Sequence, residues 1–120
     1  MIEELEEISI ADGNRLIKIV SEGYIAEVYT TSIGCREQRG WKRHLRTTCR
    51  LSVVAGSVNI YLQQLSGAKE AYSLTETKPQ LLVIQPMVWY MFEGVAKKSI
   101  IINTPNLRHD PTEMENRDLV

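Results

Sequence analysis

The chain has 120 residues, 43% of them apolar, and its 14 basic and 15 acidic side chains leave a net charge of −1. That length predicts one domain spanning 1–120 with a single core, and the near-neutral balance excludes a broad polyanion-binding surface, so nucleic acid is not an expected partner. The start, Met-Ile-Glu-Glu-Leu-Glu-Glu, lacks the basic residues and apolar core of a secretory signal, and no run approaches the roughly 20 apolar residues of a membrane span, so a soluble, cytoplasmic protein with no membrane partner is expected.

Along the chain, apolar residues come in short runs rich in Val, Ile, Leu and Tyr, broken by Gly, Asn, Pro or Ser, with almost no sustained helical period. This is an all-β pattern. Strands are predicted at 15–20, 25–33, 49–54, 57–62, 71–74, 81–84, 88–92 and 99–103. So many short strands in one small domain predict a sandwich or barrel. Ala55-Gly56 and Gly94 mark reversals where a residue free to take positive φ is useful. The acidic start, 1–7, and a polar tail from about 110 are expected at the surface. A helical turn or two is expected after Thr112, which with Glu115 reads as a capping box. Cys35 and Cys49 are too few for a disulfide scaffold and lack metal-finger spacing, so both are expected as reduced thiols.

Between Cys35 and Gly56 the chain carries Arg36, Arg39, Lys42, Arg43, Arg46 and Arg50, with His44 among them and Glu37 as the single acid. Acids elsewhere, at 3–7 and 110–118, offset this charge. Segregated positive charge on a near-neutral chain suits a small anion or phosphorylated ligand. If 42–46 is extended, Lys42, His44 and Arg46 share one face, with Arg43 and Leu45 on the other. Arg36 and Arg39 flank Gly40 in an expected loop, where planar guanidinium forks can grip a phosphate. Arg43 and Arg50 are expected to face solvent or to pair with the acidic termini of a partner subunit.

The stretch Gly40-Trp-Lys-Arg-His44, followed by Cys49 and Gly56, is similar in spacing to the first motif of the cupin superfamily. Gln85-Pro-Met-Val-Trp-Tyr-Met-Phe92 resembles the second, and Asn103-Thr-Pro-Asn-Leu-Arg-His-Asp-Pro111 is similar to the Asp-Pro end of its sugar-nucleotide enzymes. From Ile25 onward most of the chain resembles the dTDP-4-dehydrorhamnose 3,5-epimerases and the short dTDP-sugar 3,4-ketoisomerases. The resemblance implies a jelly-roll sandwich or barrel and a homodimer. It further implies a metal-independent isomerase of nucleotide sugars, which transfers protons next to the keto group of a dTDP-linked 4-keto-6-deoxy sugar.

Within that resemblance Lys42 stands where those enzymes place a histidine base. His44 stands at the second histidine of the ketoisomerase pair, Cys49 replaces the acid of metal-binding cupins, and Tyr90 replaces the motif-two histidine. One imidazole and a thiol at these four positions make a poor metal site, so no metal and no cofactor are expected. Proton transfer beside a carbonyl needs a base and a donor or cation for the enolate oxygen, roles that Lys42 and His44 can divide. A free lysine has a pKa of about 10.4, which burial and neighbouring cations push down. Arg36, Arg39, Arg46 and Tyr90 are the candidate ligand contacts, the arginines for a diphosphate. Two alternatives stay open. Lys42 remains protonated, holding an anion or pairing with Glu27, or the protein is a non-catalytic cupin module that binds a phosphorylated sugar or other small anion.

Overall fold

The computed structural model describes residues 1–20 and 23–117. In chain order its strands are β1 (Ile2–Glu4), β2 (Glu6–Ser9), β3 (Arg15–Lys18), β4 (Tyr29–Gly34), β5 (Gln38–His44), β6 (Cys49–Ala55), β7 (Ser57–Gln63), β8 (Lys69–Thr75), β9 (Gln80–Ile84), β10 (Trp89–Gly94), β11 (Lys98–Asn103) and β12 (Met114–Asn116). One sheet runs β1-β9-β6-β11-β4 and the other β12-β5-β10-β7-β8, while β2 and β3 pair as a separate hairpin. All pairings are antiparallel. Strands β4 to β11 are therefore divided between two facing sheets in the order of a jelly roll, as the sequence predicts. The strands β1 and β12 each extend one sheet at an edge.

Alternation along β7 shows why the sheets face each other. Val58, Ile60 and Leu62 are buried, while Ser57, Asn59, Tyr61 and Gln63 are only half-buried, the period-two pattern of a strand with one face on a core. Ile33, Leu51, Val53, Leu74, Leu82, Ile84, Phe92 and Ile101 fill the rest of the space between the sheets. Fully burying a side chain of this size contributes about 1.5–3 kcal/mol.

The predicted strands at 49–54, 57–62, 71–74, 81–84, 88–92 and 99–103 all form, most of them a residue or two longer than expected. The stretch 25–33 is paired only from Tyr29. Four strands lack an apolar signal and arise from pairing alone: β1, β2, β5 and β12. The expected surface tail from about 110 is corrected. A 3-10 turn, Pro111–Glu113, is capped by the Asp110 side chain rather than by Thr112, Glu113 is buried, and β12 pairs with β5. Pro111 at the first position and Asp110 as cap explain the turn. Residues 118–120 of that tail, including Asp118, lie outside the described residues.

One irregularity positions the functional strand. Tyr90 pairs with Lys42 but Met91 pairs with Gly40, so Trp41 is the extra residue of a β-bulge, a device that re-aims side chains. Gly40 makes it possible. Its φ is +126°, and a Cβ there would lie 2.7 Å from the Tyr90 carbonyl oxygen and 2.9 Å from the Met91 Cα. Gly40→Ala is expected to destabilise the fold by about 1–3 kcal/mol through overpacking and strain. Gly34→Ala, whose Cβ would meet nothing within 4 Å, should cost much less. Denaturant unfolding of the two variants checks this.

Candidate active site

His44 is the last residue of β5 and points between the sheets, where it is 6% exposed. Both ring nitrogens are engaged. Nδ1 lies 2.5 Å from Glu113 Oε1, and Nε2 lies 3.0 Å from the Tyr90 hydroxyl. An ionised carboxylate only accepts, so Nδ1 carries the proton and donates it, and a neutral ring then accepts at Nε2 from the Tyr90 O–H.

Glu113 organises the chain just past His44. Its Oε2 accepts from the backbone N–H of Leu45 (3.0 Å), Arg46 (3.0 Å) and Thr47 (3.4 Å), and its Oε1 accepts from the Thr47 hydroxyl (3.0 Å). Burial by itself would raise the Glu113 pKa. The hydrogen bonds from His44, the Arg46 backbone and Thr47, with the charge of His44, outweigh burial and hold it below the usual 4.5.

Lys42 lies on the same face of β5, two residues before His44 and directly opposite Tyr90. Its Nζ sits 5.6 Å from the centroid of the Tyr90 ring. Burial lowers its pKa, proximity to Cys49 opposes that shift, and the charge of Arg39 adds to it. Among the described residues Lys42 forms no ion pair. The expected alternative partner, Glu27, instead accepts from the His109 backbone N–H at 2.5 Å.

The remaining wall is neutral at physiological pH. Burial pushes the Cys49 thiol up to about 11, against hydrogen bonding to Asn103 and the charge of Lys42. Tyr29 is pushed up to about 12, chiefly by burial, although Asn103 Nδ2 donates to its hydroxyl at 2.9 Å. Tyr90, 3% exposed, is held well above its usual 10, again chiefly by burial. Lys42 therefore has a neutral thiol and a neutral phenol, Cys49 and Tyr90, beside it. Both cysteines are free, Cys35 exposed and Cys49 buried, and among the described residues no three His, Cys, Asp or Glu side chains converge as a metal site would need.

The arginines do not gather as the sequence suggested. Gly40 and Arg39 lie within β5 rather than in a loop, and Arg36 sits in the tight turn before it with φ of 64°. Arg36 is bonded through its backbone to Gly94, the far end of β10 from Tyr90. The extended stretch from Gln38 to Lys42, about 13 Å long, separates that turn from Lys42. Arg39 is turned toward Glu37 at 3.0 Å. Strand β5 ends at His44, so Arg46 does not share the inner face with Lys42 and His44. Its side chain is exposed and pairs with Asp110 at 3.6 Å. Arg43 pairs at 2.7 Å with Glu115 of its own chain. The outer face of this sheet carries Trp41 and Trp89, with the Arg117 guanidinium 5.1 and 4.5 Å from their ring centroids.

Lys42, Tyr90, His44 and Glu113 thus form one continuous chain of groups, able to hold a cation at the end of β5 and move a proton from phenol to imidazole to carboxylate. Glu113 is the member that sequence reading missed. The Asp-Pro turn before it was visible, but an inward acid in a polar tail carries no periodic signal. Because its folded pKa lies below 4.5, the unfolded chain takes up this proton first as pH falls. The stabilisation is present above about pH 4.5 and is lost as pH drops through the lower folded value. Glu113→Gln should therefore cost on the order of 2–3 kcal/mol at neutral pH, through weakened charge-assisted hydrogen bonds, and the gap should close in acid. Thermal melts from pH 7 to pH 3 check this.

No protein-family model and no curated protein matches the chain. Solved structures do. A dTDP sugar isomerase from Desulfovibrio desulfuricans G20 superposes with a TM-score of 0.90 at 23% identity, over 98% of this chain and 83% of that one. The sugar 3,4-ketoisomerase QdtA from Thermoanaerobacterium thermosaccharolyticum, solved with TDP, gives 0.82 at 21% identity, over 96% and 85%. A dTDP-4-dehydrorhamnose 3,5-epimerase from Elizabethkingia anophelis NUHP1 gives 0.84 at 10%, over 96% and 73%. The chain therefore has the cupin-type jelly roll of nucleotide-sugar isomerases and epimerases, the fold that its motifs at 40–56 and 85–92 predict.

Proposed function

We propose that the protein is a nucleotide-sugar isomerase that moves protons next to the keto group of a dTDP-linked 4-keto-6-deoxy sugar. The observation that carries this reading is the buried chain Lys42–Tyr90–His44–Glu113, set in a jelly roll that this chain shares with enzymes of that substrate class. The positive charge of Lys42 lies against the ketone and stabilises the negative charge that develops on its oxygen. No metal is required, because that charge replaces a Lewis acid. The Tyr90 hydroxyl delivers and receives the proton. His44 takes that proton at Nε2 and, once doubly protonated, returns it, while Glu113 orients the imidazole through Nδ1 and compensates its charge in that state.

Arg46 is the arginine best placed for the diphosphate. It is exposed just past His44, and its partner Asp110 is 3.6 Å away, a surface pair worth about 0–1 kcal/mol that a phosphate displaces readily. Arg36, in the turn before β5, and Arg39, paired with Glu37, are less well placed for that role. A homodimer completes the reading. The two-stranded β2–β3 hairpin leaves Ile8, Ile10 and Leu16 37–50% exposed, and an isolated hairpin of this size needs a further surface to pack on, which a second copy supplies. Two unpaired cysteines suit a reducing compartment, and we place the protein in the cytoplasm.

Incubation with dTDP-4-keto-6-deoxyglucose in heavy water, followed by NMR, tests the activity. Deuterium should enter at the carbons flanking the ketone. Lys42→Ala should abolish its entry, and His44→Ala should slow it by about 10²–10⁴-fold. Absence of exchange above the uncatalysed rate removes this substrate and leaves a binding module for a phosphorylated sugar. Sedimentation equilibrium should give twice the chain mass, and Ile8→Asp with Leu16→Asp should return it to one.

A further inference from the structure

We propose that Lys42 acts covalently, its amine condensing with the sugar ketone to form an iminium ion, so that the cation beside the developing negative charge is bonded to the substrate carbon itself. This rests on the function proposed above and deepens it. The geometry leads there by elimination. The imidazole of His44 is 6% exposed, with Nδ1 committed to Glu113 and Nε2 to Tyr90, so it has no free lone pair to take a carbon-bound proton directly. Tyr90 and Cys49 are neutral, weak bases in this setting. Lys42 Nζ is the one inward-facing nitrogen on β5 without a committed partner among the described residues, lying over the Tyr90 ring with no carboxylate against it. A lysine so placed is held toward the neutral amine by burial, and a neutral, desolvated amine is the form that attacks a carbonyl.

The acid and base that the reaction needs are already adjacent. The Nζ lone pair attacks the ketone carbon, and the carbonyl π pair becomes an alkoxide that takes a proton from the Tyr90 hydroxyl, resupplied by His44. Nζ, now an ammonium with two protons, returns one of them to the relay; its freed lone pair then expels the hydroxyl, which leaves as water with that proton, giving the iminium. The electron sink at nitrogen makes the neighbouring C–H acidic enough for the weak base of the relay. The C–H proton passes to the Tyr90 oxygen as the Tyr90 proton moves to His44 Nε2, the C–H pair forms a C=C bond, and the C=N π pair returns to nitrogen as an enamine. Reprotonation from the other face inverts the carbon, and water then hydrolyses the iminium, releasing ketone and free Lys42. One water leaves and one returns, with no redox step.

This chemistry also selects an outcome. An imine at C4 labilises protons at C3 and C5 and returns the ketone to C4, so it supports epimerisation. Migration of the ketone to C3 would leave Lys42 bound to C4 through a C–N single bond that hydrolysis does not break. An epimerase, rather than a ketoisomerase, follows.

The test is reductive trapping with dTDP-4-keto-6-deoxyglucose and cyanoborohydride near neutral pH, read by intact mass and peptide mapping, with deuterium exchange measured in parallel. A single adduct of the sugar nucleotide on Lys42 is expected. It should be absent in Lys42→Arg, which keeps the charge and lacks the nucleophilic amine, and that variant should also lose exchange. Deuterium exchange without an adduct, an adduct spread over other lysines and unchanged in Lys42→Arg, or exchange retained in Lys42→Arg overturns the covalent role while leaving the isomerase reading in place. Neither exchange nor adduct overturns both.

Discussion

The Glu113 carboxylate is the interaction on which the rest of the site depends. It gathers three backbone N–H groups, one hydroxyl and one imidazole onto two oxygens. These contacts turn the chain sharply at 45–47, end β5 at His44 and hold β12 against it as an added edge strand. A buried carboxylate costs several kcal/mol to desolvate and is retained only where donors of this number and quality satisfy it. The same contacts that satisfy it orient His44. Stability of this end of the sheet and the orientation of the His44 ring are therefore one property.

The second constraint is the bulge at Trp41. The added residue changes the pairing from Gly40 with Met91 to Lys42 with Tyr90 and so aims Lys42 and His44 at the interior together. It also leaves Trp41 on the outer face, beside Trp89 and under the Arg117 guanidinium. The cation inside and the cations outside meet different fates. Arg43, Arg39 and Arg46 each find a carboxylate at the surface, whereas Lys42, half-buried, finds none among the described residues.

The fold was legible wherever burial writes a pattern. Val58, Ile60 and Leu62 alternate with half-buried residues, and 81–84 runs apolar because each of its residues is buried. Strands such as β5 and β12, built of Gln, Arg, Gly, Lys, Glu and Asn, carry no such pattern, since each is held by the ladder of its neighbour rather than by its own side chains. Lys42, His44 and Tyr90 were found through motif spacing. The arginines were misplaced because local density of charge along a chain says nothing about where a strand ends, and a strand that ends two residues earlier turns Arg46 from lumen to rim.

By itself the sequence determined an all-β chain, a reversal at Gly56 and the shared inward face of Lys42 and His44. These follow from side-chain period and spacing, which are local. Tertiary structure alone decided that Glu113, 69 residues from His44 in the chain, meets its imidazole, that Tyr90 caps the other ring nitrogen, and that Lys42 has no counter-ion among the described residues. Each of these is a fact of long-range contact, set when two sheets close on one another, and no local pattern encodes it.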